Sequence, residues 1–390
     1  MNASTLDKSA LDFPIRATGV SLSHCGVSPL YPGAAAAARQ WDEAHMRLGA
    51  GVFRQLPDPT TAVHRAAAAL LDVPETDLSF LRNTAEGLSM VANGLPLAPG
   101  DRIVSYVHEY PSNHYPWRLL EARGAKLELL PDRDCGSGLP GGRPRGFELA
   151  DLERLLRGGG VRAVALSHVQ FTSGFVADLP AIGRLCREHG AWLIVDAAQS
   201  LGVLTLRPRE WGVDAIAASG WKWLMGPIGT GLLYTSARLR GELRCTMAGA
   251  DLMEQGEDYL NHTWRPHADG RVFEYGTASM APAAALAACV VELQLRHGPT
   301  VIAAEAGRLR ELLIAGLDPA RFRRAHFPGV DGPILSWDVA QPEDTVRRAA
   351  EAGITVTVRG GYLRTAPHFY NTDDEIHRAI EILNHAARAG

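Results

Sequence analysis

The sequence predicts an α/β fold, a large domain on a mainly parallel sheet followed by a smaller α+β domain. Two features carry this expectation. Through the middle of the chain, short apolar runs bounded by Gly, Pro and Asp alternate with helical patterns, as buried parallel strands and their crossover helices do. Beyond about Tyr259 the alternation stops, and Ala-rich helical stretches with isolated strand candidates take over.

In chain order, Leu78–Leu81 reads as a strand and Ala85–Gly94 as a helix. Arg102–Val107 is the next strand, and Ser112–Arg123 the next helix. Lys126–Leu130 is again strand-like and Phe147–Arg157 again helical. Arg162–Ser167, a helix over Asp178–His189 and the apolar run Trp192–Val195 complete the alternation. Such a sheet places its ligands at the carboxyl ends of its strands. The C-terminal part predicts helices over Ala281–Arg296, Thr300–Ala315 and Asp373–Ala387, with strands at Ile334–Val339, Ile354–Arg359 and Tyr362–Thr365. Asp134–Gly146 is dense in Gly and Pro and reads as a surface connector.

Composition narrows the function. With 39 Lys+Arg against 43 Asp+Glu the net charge is −4, which argues against a nucleic-acid partner. No apolar run reaches the roughly 18 residues of a spanning helix, and Asp7, Lys8 and Asp12 stand where a signal peptide would be apolar. The five cysteines are odd in number and scattered, so neither a disulfide framework nor a metal site is indicated. The expectation is a cytoplasmic globular protein without a membrane partner. A Walker A loop, a GxGxxG after the first strand and a GxSxG elbow are all absent. Phosphoryl transfer, hydride transfer and serine hydrolysis lose ground accordingly.

The stretch Val195-Asp-Ala-Ala-Gln-Ser200, followed by Ser219-Gly-Trp-Lys-Trp223, carries chemistry. Asp196 ends a very apolar strand, where a carboxylate is costly unless paired. Lys222 follows another apolar strand between Trp221 and Trp223, surroundings that lower an amine pKa and make it a nucleophile. Each has a plain structural role as well: helix cap or ion pair for Asp196, a side chain reaching out from the sheet edge for Lys222. Together they suggest pyridoxal phosphate, which needs a lysine for its Schiff base and an acid at its ring nitrogen. Gln199 is placed to meet the ring oxygen and Ser219 the phosphate. Asn83-Thr-Ala-Glu-Gly87 opens a helix, whose free N–H groups favour an anion.

With these residues in place the chain resembles the fold-type I pyridoxal-phosphate enzymes of the class V aminotransferase family. The similar branch holds cysteine desulfurase-like, selenocysteine lyase-like and isopenicillin N epimerase-like proteins. The matching segments are NTAEG at Asn83, HEYPSNHYPW at His108, VDAAQSLG at Val195, SGWKWLMGPIGTGLLY at Ser219, FEYGTAS at Phe273 and RTAPHFYNTDDEI at Arg364. The resemblance implies a large cofactor-binding domain over residues 20–275 with a seven-stranded type of sheet. Residues 1–19 and 276–390 would form the small domain. Lys222 would form the internal Schiff base and shuttle the Cα proton, with Asp196 on the pyridine nitrogen and Gln199 on the ring oxygen. Thr84, Ala85 and Ser219 would bind phosphate, Tyr110 would stack on the ring, and Trp221 would adjoin it. Thr277 matches a residue that reaches the neighbouring subunit's phosphate, which implies a homodimer. Arg364 would clamp the substrate carboxylate with its planar fork, helped by Arg359, and His24 would face the substrate.

Two departures qualify the resemblance. Relatives that hold sulfur as a persulfide carry a cysteine on a loop before the final arginine, whereas Arg359-Gly-Gly-Tyr-Leu-Arg364 is short and has none. Cys25 reads as a small buried hydrophobe. Trp221 stands where many desulfurases have His, so further acid–base work falls to His24, His108 or His368. The reading is cleavage at Cβ of an amino acid, a C–S or C–Se bond. Transamination and epimerisation at Cα stay open. A non-catalytic regulator is disfavoured because no basic helix-turn-helix accompanies the site residues.

Overall fold

The computed structural model describes residue 8 and residues 11–139, 141–329 and 331–387. Asp7, Pro140 in the Gly/Pro-rich connector, and both ends of the expected small domain lie outside them. Among the described residues thirteen strands form in chain order: β1 (Val20–Ser21), β2 (Leu78–Leu81), β3 (Arg102–Tyr106), β4 (Lys126–Leu130), β5 (Val161–Ser167), β6 (Trp192–Asp196), β7 (Ala215–Ser219), β8 (Gly231–Thr235), β9 (Arg323–Arg324), β10 (Leu335–Asp338), β11 (Ile354–Thr355), β12 (Thr357–Arg359) and β13 (Tyr362–Thr365).

A seven-stranded sheet in the order β2-β8-β7-β6-β5-β3-β4 forms the large unit. Only β8 runs antiparallel to its neighbours, so the mainly parallel expectation holds. Its central strands β6, β7 and β8 are buried along their whole length, because helices cover both faces. The helix Leu179–Glu188 shows how: Asp178 accepts from the Ala181 N–H at its start, and Leu179, Ile182, Leu185 and Cys186 form one buried stripe against the sheet. The smaller unit is an antiparallel sheet β12-β13-β10-β9. Helices Pro299–Gly316 and Asp373–Ala386 cover it, the latter opened by a capping box between Thr372 and Glu375.

Val20–Ser21 pairs in parallel with Ile354–Thr355, which joins the N-terminal segment to the smaller unit. The helix from Met280 puts Ala283, Leu286, Ala287 and Val290 into the large sheet's core. Its small side chains let it lie close against the helices Pro32–Leu48 and Pro59–Leu71. That helix is α-helical only to Ala288 and continues as a π-helix over Cys289–Leu295. The wider turn points buried Gln294 at the Gly202 carbonyl, 3.0 Å away. The single strand expected over Ile354–Arg359 is two, one in each small sheet. The segment Ser112–Arg123 breaks into short 3₁₀ and α turns around Pro116. No helix among the described residues is long and apolar enough to cross a membrane.

Candidate active site

The carboxyl ends of β5, β6 and β7 lie side by side, with Ser167 in register with Asp196 and Asp196 with Ala217. After β7 the chain turns sharply and carries Lys222 back over these ends. Met225 closes the turn at φ +59°, a left-handed conformation uncommon for a residue with a side chain, and its N–H bonds the Lys222 carbonyl at 3.0 Å. Gly220 is required here, since a Cβ would stand 2.3 Å from Thr230 Oγ1.

A cavity of about 570 Å³ opens over this edge, lined by residues of the large unit, of the Cys25–Val27 segment and of the small unit. It gathers Thr84, Ala85, Tyr110, Asp196, Gln199, Ser219, Trp221, Lys222, Arg359 and Arg364. At one side stands the start of the helix Thr84–Gly94, where the Asn83 side chain accepts from the Glu86 N–H. The first-turn N–H groups have no partner within the helix, and their positive end favours an anion. Thr84 Oγ1 and Ser219 Oγ face the same region, both buried and without a hydrogen-bond partner. Two orphaned hydroxyls beside a helix N-terminus fit a phosphate group.

Asp196 is 5% exposed, and the Ala198 N–H donates to its Oδ1 at 2.8 Å. Among the described residues no cation lies in ion-pair contact with it. Burial pushes its pKa up, while Lys222 and the Ala198 N–H pull it back. Burial likewise holds the Lys222 amine below its ordinary pKa, against the pull of Asp196. The Lys222 Nζ lies 5.6 Å from the centre of the Tyr110 ring. A carboxylate lacking a cation opposite a weakly basic amine suits a protonated aromatic nitrogen on one side and a nucleophilic amine on the other.

Arg364, on β13, is buried; its Nη1 donates to the Phe171 carbonyl and its Nη2 to Thr357 Oγ1 at 3.1 Å. Its Nε has no partner, and no carboxylate among the described residues pairs with it. Arg359 is exposed at the rim and donates to its own neighbour, the Val358 carbonyl. The Gln199 amide is tied to protein at both ends, giving a hydrogen bond to the Cys25 carbonyl at 2.8 Å and accepting one from Trp223 Nε1 at 3.1 Å. One of its N–H bonds remains to serve a ligand.

Two expected residues stand elsewhere. His24 does not line the cavity: it is wholly buried, with Nδ1 at 2.6 Å from the Ala366 carbonyl and Nε2 at 3.0 Å from the Tyr370 hydroxyl. Burial lowers its pKa to about 4. The chain turns over Ser23–Gly26, where the Gly26 N–H bonds the Ser23 carbonyl at 2.9 Å, and this turn puts Cys25 rather than His24 in the cavity wall. Thr277 is exposed and outside the cavity of its own chain. His368 is buried with Nε2 at 2.9 Å from the Trp223 carbonyl, and His108 packs edge-on to Tyr106; neither lines the cavity. Sequence reasoning missed Phe171, whose carbonyl seats Arg364, and Glu109. Glu109 sits inside the quoted HEYPSNHYPW segment, so the signal was present but was read for its aromatic residue alone.

A model of the aminotransferase class V family matches residues 53–368. A probable cysteine desulfurase of Methanothermobacter thermautotrophicus is 28% identical, the alignment covering 97% of each chain. An isopenicillin N epimerase of Amycolatopsis lactamdurans is 27% identical over 88% of this chain and 89% of its own. Among solved structures, the apo cysteine desulfurase of Thermococcus onnurineus superposes with a TM-score of 0.82 at 24% identity, covering 96% of both chains.

Proposed function

The chain belongs to the aminotransferase class V family, and from that premise we propose that it is a pyridoxal-phosphate enzyme cleaving the Cβ–S bond of an α-amino acid. The observation that carries the amino-acid reading is Arg364. A buried guanidinium opening onto the cavity without a carboxylate is completed by the α-carboxylate of a substrate. The naming of relatives as cysteine desulfurases favours sulfur as the group that leaves.

The residues fit the cofactor. Thr84, Ala85 and Ser219 hold the phosphate, Asp196 meets the ring nitrogen, Gln199 offers its remaining N–H to the ring oxygen, and Tyr110 and Trp221 wall the ring. Bound there, the cofactor supplies an electron sink for a bond breaking next to the amino group. Lys222 attaches it and, with an amine kept weakly basic by burial, takes and returns the proton at substrate Cα. Arg364 orients the substrate so that this proton faces Lys222, and Arg359 guards the mouth. The 359–364 turn offers no thiol, so the sulfur is not captured there. Thr277 completes the phosphate site of a second copy, making the protein a homodimer. Free, scattered cysteines suit the reducing cytoplasm.

The test is to mix cofactor-loaded protein with L-cysteine, L-selenocysteine, cysteine conjugates or L-alanine without any keto acid. The expected result is recovery of the starting visible band with a sulfur- or selenium-bearing fragment released. Accumulation of aminated cofactor makes the protein a transaminase instead, and recovery with inverted Cα but no fragment makes it an epimerase.

A further inference from the structure

The turn after β3 sends two neighbours in opposite directions. Tyr110 enters the cavity, while Glu109 turns inward to 7% exposure. There its Oε1 accepts from the Ser167 N–H at 2.8 Å and from Gln170 Nε2 at 2.9 Å, and its Oε2 accepts from the Ser167 hydroxyl. No cation among the described residues is in ion-pair contact with it. Burying a carboxylate without a cation is expensive, so what it holds needs an account.

It holds one wall of the cavity. Ser167 ends β5 in register with Asp196. Gln170 begins a tight loop, its N–H bonded to the Phe175 carbonyl at 2.8 Å and its carbonyl to the Gly174 N–H at 2.9 Å. The next two carbonyls receive the small unit: Phe171 takes Arg364 Nη1, and Thr172 takes the Ser336 hydroxyl at 2.7 Å. Ser336 and Arg364 face each other across β10 and β13. We propose that Glu109 is a positioning residue, bracing the 167–172 segment so that Arg364 is aimed at a substrate carboxylate over Asp196. A carboxylate is the side chain that accepts three donors at once in this geometry. Burial pushes Glu109 up to about 7, with the charge of Asp196 adding to it; Tyr106 is the other titratable group facing it.

The inference rests on the reading of Arg364 as the carboxylate clamp, and the test separates the two. The visible band of cofactor-loaded protein is titrated with L-alanine and with ethylamine, which lacks the carboxylate, and the ratio of apparent affinities is compared among variants. In Glu109→Ala, which leaves Ser167 and Gln170 unpaired, the ratio falls about tenfold or more, as expected for misplacing a positioning group. Cofactor and ethylamine binding stay near wild type. In Glu109→Gln the ratio is kept, because the amide oxygen accepts the same two N–H bonds and the Ser167 hydroxyl rotates to accept the third. An unchanged ratio in Glu109→Ala, an equal loss toward both ligands, or a lost ratio in Glu109→Gln overturns the proposal. If Glu109→Ala does not fold, Gln170→Met cuts the same strut, and an undiminished ratio there overturns it too. A wild-type protein that does not prefer L-alanine removes the Arg364 reading first, and this inference with it.

Discussion

Glu109 leaves a mark on the folding equilibrium as well as on the site. Its carboxyl is raised from an ordinary 4.5 to about 7 by burial. A carboxyl raised on folding contributes its full stability below the unfolded value and loses it as pH climbs through the folded one. The window is therefore about pH 4.5 to 7, and at about 1.4 kcal/mol per pKa unit the loss amounts to a few kcal/mol. Glu109→Gln cannot ionise, so the apo variant should match wild type at pH 5 and be more stable than it at pH 8 by denaturant titration. Equal stabilities at pH 8 would mean that the carboxyl titrates normally. The same scale shows what residues disclose in sequence. Lys222 and Asp196 were legible because each is a charged side chain set in or beside an apolar strand, a local contradiction that chemistry must resolve, whereas Arg364 was legible only through the family resemblance. That Cys25 and not His24 meets the cavity was not legible, because the Ser23–Gly26 turn is oriented by contacts of His24 with the distant Ala366 carbonyl and Tyr370 hydroxyl.

Among the elements, the helix Leu179–Glu188 makes a sharp case, since propensity and packing disagree there. Gly183 lies mid-helix, where alanine would ordinarily gain about 1 kcal/mol. A Cβ at Gly183 would stand 1.8 Å from the Trp211 carbonyl oxygen and 3.0 Å from its carbon. Both are backbone atoms and cannot swing aside, so the close approach wins. Gly183→Ala is expected to destabilise by roughly 2–4 kcal/mol, in the range of overpacked and strained cores; a stabilised variant in thermal melts would refute the contact. Element positions were otherwise legible wherever one period governed one element, as in β2 to β7. They failed where tertiary context divided a run. Ile354–Arg359 is continuous in β-propensity, yet its two halves join different sheets. The helices Pro32–Leu48 and Pro59–Leu71 were not read at all. Both are rich in alanine, and a helix over Met280–Ala288 is packed against them.

At the scale of the whole molecule, the cavity draws on both units, so the site depends on how they are held together and on what covers the large unit's outer edge. A mainly parallel α/β sheet was legible in the βαβ alternation, and its seven strands only through the family resemblance; the covering surface was not, because nothing in a single chain's pattern marks it. The segment before Thr277 leaves Tyr259, Leu260 and Trp264 exposed, Leu260 at 92%. Large apolar side chains so exposed call for a partner, and the homodimer we propose supplies one while bringing Thr277 to the other copy's phosphate. Sedimentation should then give the mass of two chains. The double variant Leu260→Glu, Trp264→Glu should shift it toward one chain without unfolding it, since neither side chain belongs to a buried core. Thr277→Ala should leave the dimer intact yet weaken cofactor retention about tenfold, the worth of one hydrogen bond to a charged group. The monomerised variant should lose at least as much, because it forfeits the same bond. A monomer that retains the cofactor as tightly as the dimer would leave Thr277 without the cross-subunit role and confine the phosphate site to Thr84, Ala85 and Ser219 of one chain.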